Sequence, residues 1–496
     1  MIEAEAAEEQ PRLRRVMGPG LLLLFIIGDI LGTGVYALIG DVAAEVGGAA
    51  WVPFLLAFLI AAITALSYLE LVTKYPQAAG AALYAQKAFG KPFITFVVAF
   101  VVMCAGITSA ATASRFFAAN FFIAFEFSWG TVGFLIVALL FIAVLAAVNL
   151  RGVGDSIKLN VVLFCIEAIG LLLVISVGLW AFVDGRHADY SRIVAFDTSA
   201  DKNIFLAVTS ATSLAFFAML GFEDSVNMAE ETKNPVKTFP KVLLSGLTIA
   251  GVVYVLIAVI AVIAVALVPV GVLKASDTPL VEVVQVGLPG LPIKSILPSI
   301  SMVAVSNTAL INMLMASRLI YGMARQRVLP PPLGAVSRTR RSPWVAILFT
   351  TTIAFAVILY VTVFASSDAI AVLGGTTSLL LLAVFAMVNV AVLVLRQDGP
   401  STTRAVQRAG DETGNRSSRQ PRRHYRTPTP LPVIGCFASL YLVTPLSGRP
   451  GQQYLLAAIL IVSGVVLSLA TQLFNRRRGH RELPMDDVAP IGAASG

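Results

Sequence analysis

The stretch GDILGTG, residues 28–34, decides the fold of this chain, because it places three glycines and a carboxylate inside an apolar segment. That segment, residues 18–45, is long enough to cross about 30 Å of hydrocarbon as a helix. Each glycine costs a helix about 1 kcal/mol relative to alanine. An acidic group at mid-membrane costs at least about 2.5 kcal/mol on insertion scales. The sequence therefore predicts a membrane helix that is interrupted near its middle.

A second interrupted segment lies in residues 204–230, where FFAMLGFED, residues 216–224, sets a glycine directly before two carboxylates. Gly28 lies about ten residues after the start of its segment, and Gly221 about ten before the end of its own, so both are about 15 Å deep. The two breaks are therefore expected at the same level, near the middle of the membrane.

The composition of the whole chain agrees with a membrane protein. Its 496 residues are 57% hydrophobic and only 13% charged, against roughly 25% charged in soluble domains, and this excludes a soluble enzyme, a disulfide scaffold and a disordered chain. The fold class predicted is an all-α polytopic membrane protein with twelve transmembrane helices. These spans are 18–45, 50–72, 93–118, 131–149, 157–183, 204–230, 240–268, 293–323, 344–364, 369–395, 430–447 and 453–474.

The distribution of positive charge predicts the orientation. With the N-terminus in the cytoplasm, 28 of the 36 Lys and Arg residues fall on the cytoplasmic side and six on the other. Cytoplasmic loops carry this excess in membrane proteins, so a multi-pass protein of the plasma membrane with both termini cytoplasmic is predicted. The same distribution explains the net charge of +8 through contact with the lipid bilayer, and no nucleic-acid partner is expected.

The positions of the two breaks predict an internal repeat. The interrupted spans begin 186 residues apart, and Gly34 and Gly221 lie 187 residues apart. Because five is odd, spans 1–5 and 6–10 enter from opposite sides, as in transporters built from inverted repeats. The alternative is that the glycines only permit close helix packing. The predicted divisions are an N-terminal tail 1–17, a first five-helix repeat 18–183, a second 204–395, a basic disordered cytoplasmic loop 396–429, helices eleven and twelve 430–474, and a C-terminal tail 475–496.

Broken helices predict the chemistry of the site, because they expose backbone N–H and C=O groups inside the membrane. A zwitterionic amino acid needs donors for its carboxylate and acceptors for its ammonium group. In span one, Thr33, Gly34 and Val35 offer N–H groups, and Gly28 and Asp29 lie nearer the acceptors. In span six, the carbonyls of Phe217, Ala218 and Leu220 complete the ammonium site. The substrate-binding residues predicted are Gly28, Asp29, Gly32, Thr33, Gly34, Phe217, Ala218, Leu220 and Gly221.

Three stretches resemble the signatures of the amino acid–polyamine–organocation (APC) superfamily. They are GDILGTGVY in span one, FFAMLGFEDSVNMAEETKNPVKTFPK from span six, and NMLMASRLIYGMARQRVLPP in span eight. The resemblance is nearest to the cationic amino acid transporter branch and its bacterial relatives. It implies a LeuT-type 5+5 inverted-repeat fold with broken helices 1 and 6, and alternating access around a site at the midplane.

Individual residues carry this resemblance further. It implies that Gly32, Thr33 and Gly34 form the loop that binds the substrate carboxylate, that Phe217 is the gate, and that Glu223 takes part in proton coupling. Two residues depart from the pattern. Glu167 stands in span five where many bacterial members have a lysine, and Asp29 stands where most relatives are uncharged. Glu167 is either a second proton-coupling residue or a structural hydrogen-bond partner.

The function predicted is secondary active transport of amino acids, with proton coupling and a preference for cationic substrates. The alternatives are an amino acid exchanger, a polyamine carrier, or a non-transporting amino acid sensor on the same fold. No enzyme activity, cofactor or metal site is expected, because no convergent catalytic or ligand set occurs. The oligomeric state is not indicated by the sequence.

Overall fold

The computed structural model is helical throughout the part of the chain that it describes, with one isolated bridge between Met17 and Thr232. The described residues are 17–77, 80–151, 156–183, 191, 194–198, 203–229, 232–265, 279–287, 293–325, 328–337, 340, 342–364, 369–397 and 424–477.

The described part of the chain contains fifteen α-helices. In chain order they are α1 Pro19–Ile30, α2 Thr33–Val46, α3 Trp51–Lys74, α4 Gly80–Phe89, α5 Pro92–Ala124, α6 Gly130–Arg151, α7 Ser156–Val183, α8 Ile204–Ala215, α9 Pro235–Val265, α10 Pro279–Gly287, α11 Ile293–Arg325, α12 Trp344–Phe364, α13 Ala369–Gln397, α14 Pro430–Val443 and α15 Gly451–Arg477.

The helices have the length and composition of membrane spans. Within the described residues, nine helical stretches are long and apolar enough to cross a membrane, and Pro19–Ile30, Val161–Val177 and Pro430–Val443 are shorter apolar helices. Outward faces are apolar too: Ile136, Leu140 and Val144 form an exposed stripe along α6. The chain is thus a polytopic membrane protein that is helical over its described residues, and the count of twelve spans stays a prediction.

Both predicted breaks are present. α1 ends at Ile30 and α2 begins at Thr33, so only Leu31 and Gly32 separate two α-helical halves. The second break is longer: after α8 the chain forms 3₁₀ turns over Phe216–Met219 and Asp224–Met228. Between those turns Gly221 has a φ of 116°, a conformation that glycine adopts without steric cost.

Contacts between the ends of helices show that the two broken helices run in opposite directions. The amide of Lys233 donates to the carbonyl of Met17 at 2.9 Å, so α1 and α9 begin on the same side. The amide of Ala49 donates to the carbonyl of Ala195 at 3.1 Å, so the chain leaves α2 beside the segment that leads into α8. We call the side of Met17 the N side and the side of Ala49 the far side.

The helices pair in a matching way around the breaks. α1 packs against α9 as α8 packs against α3, and α7 packs against α11 as α13 packs against α5. α5 and α11 approach closely at Gly106, where a Cβ atom would lie 3.3 Å from the carbonyl of Asn312. A small residue is what such a close crossing within a membrane requires.

The predicted disordered loop 396–429 is wrong at both of its ends. Residues 396–397 continue α13. Arg396 pairs with Glu70 at the end of α3 and donates to the carbonyl of Thr427 at 2.5 Å. The amide of Thr427 in turn donates to Glu70 Oε2 at 2.8 Å. Composition alone missed this, because the two anchoring groups lie on α3 and α13. Residues 398–423 lie outside the described part of the chain.

Candidate functional site

The backbones of the two broken helices touch at the level of their breaks. A Cβ atom on Gly34 would collide with Cα of Ala218, and one on Gly221 would lie 2.8 Å from the carbonyl carbon of Asp29. Gly32 faces α11 instead, where a Cβ would overlap the Thr308 hydroxyl. The glycines of both motifs are therefore required for helix approach, and the crossing they allow brings the two sets of exposed backbone groups together.

The first break has free backbone N–H groups at the start of α2, and a carbonyl at the end of α1 that already accepts a hydrogen bond. Thr33 and Gly34 begin α2, and the first N–H groups of a helix have no acceptor within it. The carbonyl of Ile30, at the end of α1, accepts from the buried Tyr254 hydroxyl of α9. The positive end of the α2 dipole therefore points into the crossing, where it suits a carboxylate.

The second break uses part of its own hydrogen-bonding capacity. The amide of Leu220 donates to the carbonyl of Phe217 at 3.3 Å, and the amide of Asp224 to the carbonyl of Gly221 at 3.1 Å. Glu223 Oε2 accepts from the amide of Gly221 at 2.9 Å. Glu223 thus closes a small ring over the break, and each carbonyl has a second lone pair for a substrate ammonium group.

A cavity lies where the breaks cross. It has about 30 Å³ of free volume, room for about one or two water molecules. An amino acid therefore enters only when the surrounding helices move apart. The lining residues are Asp29, Ile30, Thr33, Gly34, Ser109, Phe217, Leu220, Gly221, Glu223, Asp224, Thr308, Asn312, Thr377 and Leu381.

Most of the predicted binding residues lie at this cavity. Asp29, Thr33, Gly34, Phe217, Leu220 and Gly221 line it, as does the proposed coupling residue Glu223. The other predicted residues are not among those that line it. Gly32 and Ala218 make the helix contacts described above, and Gly28 faces α7, where a Cβ would lie 3.1 Å from Cβ of Phe164.

A polar wall opposite the breaks, formed by Ser109, Thr308, Asn312 and Thr377, was not among the predicted site residues. Asn312 on α11 donates to the Ser109 hydroxyl of α5 at 3.3 Å, and the hydroxyls of Thr108 and Thr377 are 2.7 Å apart. Asn312 therefore lines the cavity and also joins two helices. The signal in the sequence was the presence of amide and hydroxyl side chains in apolar spans, without any sign of the direction in which they point.

The ionisable side chains at the cavity are all acidic. Asp29, Glu223 and Asp224 are the ionisable side chains that line it. Asp29 is 3% exposed, and its Oδ2 has no hydrogen-bond partner within the described structure. A buried carboxylate without a hydrogen-bond partner is energetically unfavourable. The Asp29 carboxyl is therefore expected to be protonated or to bind a cation.

Glu167 does not line the cavity, but it lies beside the first break. Phe164, one turn before it on α7, packs on Gly28. The backbone carbonyl of Glu167 accepts a hydrogen bond from the Tyr36 hydroxyl of α2 at 3.4 Å. The carboxyl group is fully buried, and neither oxygen has a hydrogen-bond partner within the described residues. The alternative that Glu167 is a hydrogen-bond anchor through its carboxyl group therefore has no support in this conformation.

Comparison with known proteins decides the family. The profile of the amino acid permease family matches residues 22–482. The chain belongs to the amino acid permease family. The match includes both broken helices and the polar wall, and it confirms the resemblance to the APC superfamily.

The relatives of this permease are named for different transported substrates. It is 28% identical over 337 residues to cationic amino acid transporter 9, chloroplastic, of Arabidopsis thaliana, covering 64% of this chain and 56% of that protein's length. It is 24% identical over 426 residues to the branched-chain amino acid permease BcaP of Bacillus subtilis, covering 83% and 86%. It is also 24% identical over 410 residues to the methylthioribose transporter of Bacillus subtilis, covering 80% and 84%. Similar identities thus accompany three different substrate classes.

Proposed function

We propose that this permease is a secondary active amino acid transporter of the plasma membrane, with the N side in the cytoplasm and substrate bound where the two broken helices cross. The observation that carries the proposal is the pairing of α2 backbone donors with three carboxyl side chains around one cavity. Donors at a helix N-terminus suit a substrate carboxylate, and acceptors with negative charge suit an ammonium group.

The fold proposed is the 5+5 inverted repeat, with spans 1–5 in residues 18–183 and spans 6–10 in residues 204–395. Its support is the opposite direction of the broken helices and the matching of packing pairs, α1 with α9 and α8 with α3. Alternating access is proposed with this fold: the cavity is small, so substrate would reach it when helices move apart on one side and leave when they move apart on the other.

The substrate class proposed is a cationic amino acid. One carboxylate balances the α-ammonium group, and a further carboxylate favours a positively charged side chain, even when Glu223 carries a proton. A branched-chain amino acid is the second candidate, because Leu220 and Leu381 line the same cavity and the match to the BcaP permease covers most of both chains.

Uptake into proteoliposomes separates these candidates. Labelled arginine should accumulate, and excess lysine or ornithine should compete, whereas excess alanine or leucine should not. If leucine blocks uptake and arginine does not, the cationic assignment is wrong. Asp29→Asn is the matched variant, since it keeps the shape of the side chain while removing its charge, and it should weaken arginine uptake more than leucine uptake.

Proton coupling is proposed for Glu167 and Glu223. Glu167 is a buried carboxyl without a hydrogen-bond partner among the described residues; such a group suits the closed conformation when it is protonated, and needs water or a cation when it is not. Glu223 is included because its carboxyl lines the cavity itself. Protonation that favours one conformation over another shifts their populations and so drives the cycle. Uptake driven by a pH gradient without sodium tests this: a wild type that ignores the gradient and requires sodium would contradict proton coupling.

The remaining functions are distinguished in the same experiment. An exchanger shows uptake only when amino acid is loaded inside the vesicles, and a polyamine carrier takes up spermidine in preference to arginine. A sensor on this fold binds an amino acid, as seen in a thermal shift, without moving it across the membrane.

A further inference from the structure

Arg449 is a buried cation on the far side, in the turn between α14 and α15. It is 6% exposed, and burial lowers the pKa of its guanidinium to about 9, so it remains charged at neutral pH. A guanidinium has five N–H groups, and all five are engaged here. They donate to the carbonyls of Leu442 (2.6 Å), Gly375 (2.8 Å) and Ser213 (3.1 Å), to the amide oxygen of Gln453 (3.0 Å) and to the hydroxyl of Ser378 (2.9 Å).

All five acceptors are uncharged, which is unusual for a buried cation. Buried charges are normally paired with an opposite charge. Ser213 offers a partial substitute, because it lies in the last turn of α8, where free carbonyls form the negative end of the helix dipole. The Ser378 hydroxyl of α13 donates to the same Ser213 carbonyl at 2.5 Å. Arg449 and Ser378 thus hold the end of α8 against α13 from two directions.

The turn that carries Arg449 is itself fastened along α8. The Thr209 hydroxyl donates to the carbonyl of Ser447 at 3.3 Å, and the Ser210 hydroxyl to the carbonyl of Gly448 at 3.2 Å. A Cβ atom on Gly448 would lie 3.1 Å from the side chain of Leu206. These contacts and Ser213 lie on one face of α8, so the turn covers that face from the far side.

The fastened end of α8 leads directly into the second break. Phe217 follows Ser213 by one turn, and its ring faces Gly374, where a Cβ atom would lie 3.5 Å away. Gly375, the next residue, gives its carbonyl to Arg449. The cluster therefore lies behind the residue that closes the cavity. Because Ser213 and Phe217 are one turn apart, we expect a movement of Phe217 away from α13 to carry Ser213 away from Arg449 and Ser378.

We propose that Arg449 is a positioning residue for transport: it holds α8 against α13 in conformations closed on the far side, and it releases Ser213 when the cavity opens there. The inference rests on the proposed transport by alternating access. It assigns a role to the last two helices, which lie outside both five-helix repeats: the turn between them sets how readily the far side opens.

Labelling of a cavity cysteine from each side of the membrane tests the inference. Cys104, Cys165 and Cys436 are replaced by alanine, and Ser109→Cys supplies a thiol at the cavity. A membrane-impermeant maleimide is then added to right-side-out or to inverted vesicles. Arg449→Gln should raise the labelling rate from the far side about tenfold and lower the rate from the N side, because two exclusive conformations exchange population.

Matched variants separate positioning from simple anchoring. Ser378→Ala removes one hydroxyl at the same Ser213 carbonyl and should shift both rates in the same directions, by a smaller factor. It also decides the test if Arg449→Gln does not reach the membrane. Arg449→Lys should restore the rates in part. Gly451→Ala, at the start of α15 with no atom within 4 Å of its Cβ position, is the matched control and should leave both rates unchanged.

Two results would overturn the inference. Rates that rise from both sides would show that Arg449 only keeps the helices packed. Rates that stay unchanged in membrane-inserted Arg449→Gln, or in Ser378→Ala if Arg449→Gln is not inserted, would show that the cluster does not control the far side. Labelling requires no transport, so failure of wild-type uptake would contradict the proposed function separately from either result.

Discussion

The two broken helices both expose backbone groups at the cavity, but their breaks differ in length and regularity. In the first, two non-helical residues separate regular α-helices of 12 and 14 residues. In the second, α8 also has 12 residues, but it is followed by 3₁₀ turns and a glycine at φ 116°. A short break between rigid halves fixes the direction of backbone donors. A long irregular break, closed by Glu223, leaves carbonyls and carboxylates that can adjust to a substrate.

The largest effect is expected at the contact between the two breaks. Gly34→Val should reduce uptake by at least about 100-fold, since a displacement of 1 Å at a reacting or binding site costs that much, and its side chain would collide with Ala218. Gly20→Val is the matched control, because Gly20 lies in the same span with no atom within 4 Å of its Cβ position. Membrane insertion of both variants is checked by surface labelling. Normal uptake by Gly34→Val would contradict the proposal that substrate binds where the two breaks cross.

The next effect concerns the carboxyl group beside the rigid break. Glu167→Gln imitates the protonated form, so concentrative uptake driven by a pH gradient should be lost while exchange continues. Glu282→Gln, on the short helix α10, serves as control. A Glu167→Gln variant that accumulates substrate with the wild-type pH profile would show that coupling lies elsewhere, for example at Glu223.

A smaller effect separates the two tasks of Glu223 in the irregular break. Glu223→Ala removes the acceptor of the Gly221 amide, and a hydrogen bond to a charged group contributes about 1.5–3 kcal/mol, so uptake should fall about 10- to 100-fold. Glu223→Gln keeps an acceptor oxygen and should lose less in exchange assays. Equal exchange rates for Ala and Gln would mean that the ring over the break is not needed.

The smallest effect on uptake is expected far from both breaks. Glu70→Gln breaks the ion pair with Arg396 at the N-side end of α3 and α13. It should reduce thermal stability, by about 1–3 kcal/mol in unfolding free energy, and change uptake less than about twofold. Arg396→Gln should behave in the same way. A larger loss of uptake than that of Glu223→Ala would place a transport step at this end of the bundle.

The sequence predicted those parts of the site that violate the rules for membrane helices. Glycines and carboxylates in spans one and six are costly there, so their presence indicated broken helices, and the structure has both breaks. The wall of Ser109, Thr308 and Thr377 gave no such signal. Hydroxyls are tolerated in apolar helices because they can donate to a carbonyl one turn back, as Thr108 does to Cys104 at 3.1 Å, and sequence does not show which way they face.

The burial of Arg449 could not be predicted from the sequence either, because there Arg449 is only one of the six positive charges on the non-cytoplasmic side. Its burial depends on acceptors that the fold collects from α8, α13, α14 and α15. The anchoring of residues 424–429 was missed for the same reason: partners distant in sequence were decisive, whereas composition describes only neighbours along the chain.

The double attachment at Glu70 has a consequence for the engineering of this protein. Arg396 and Thr427 both bind the Glu70 carboxylate and each other, so the described chain is held at nearly the same point on either side of residues 398–423. The closure entropy of a flexible connection between two adjacent points grows by only about 0.6 kcal/mol for each doubling of its length. A fluorescent protein or an affinity tag inserted between 398 and 423 should therefore be carried without strain on the helices, which makes this segment the natural place for a reporter domain.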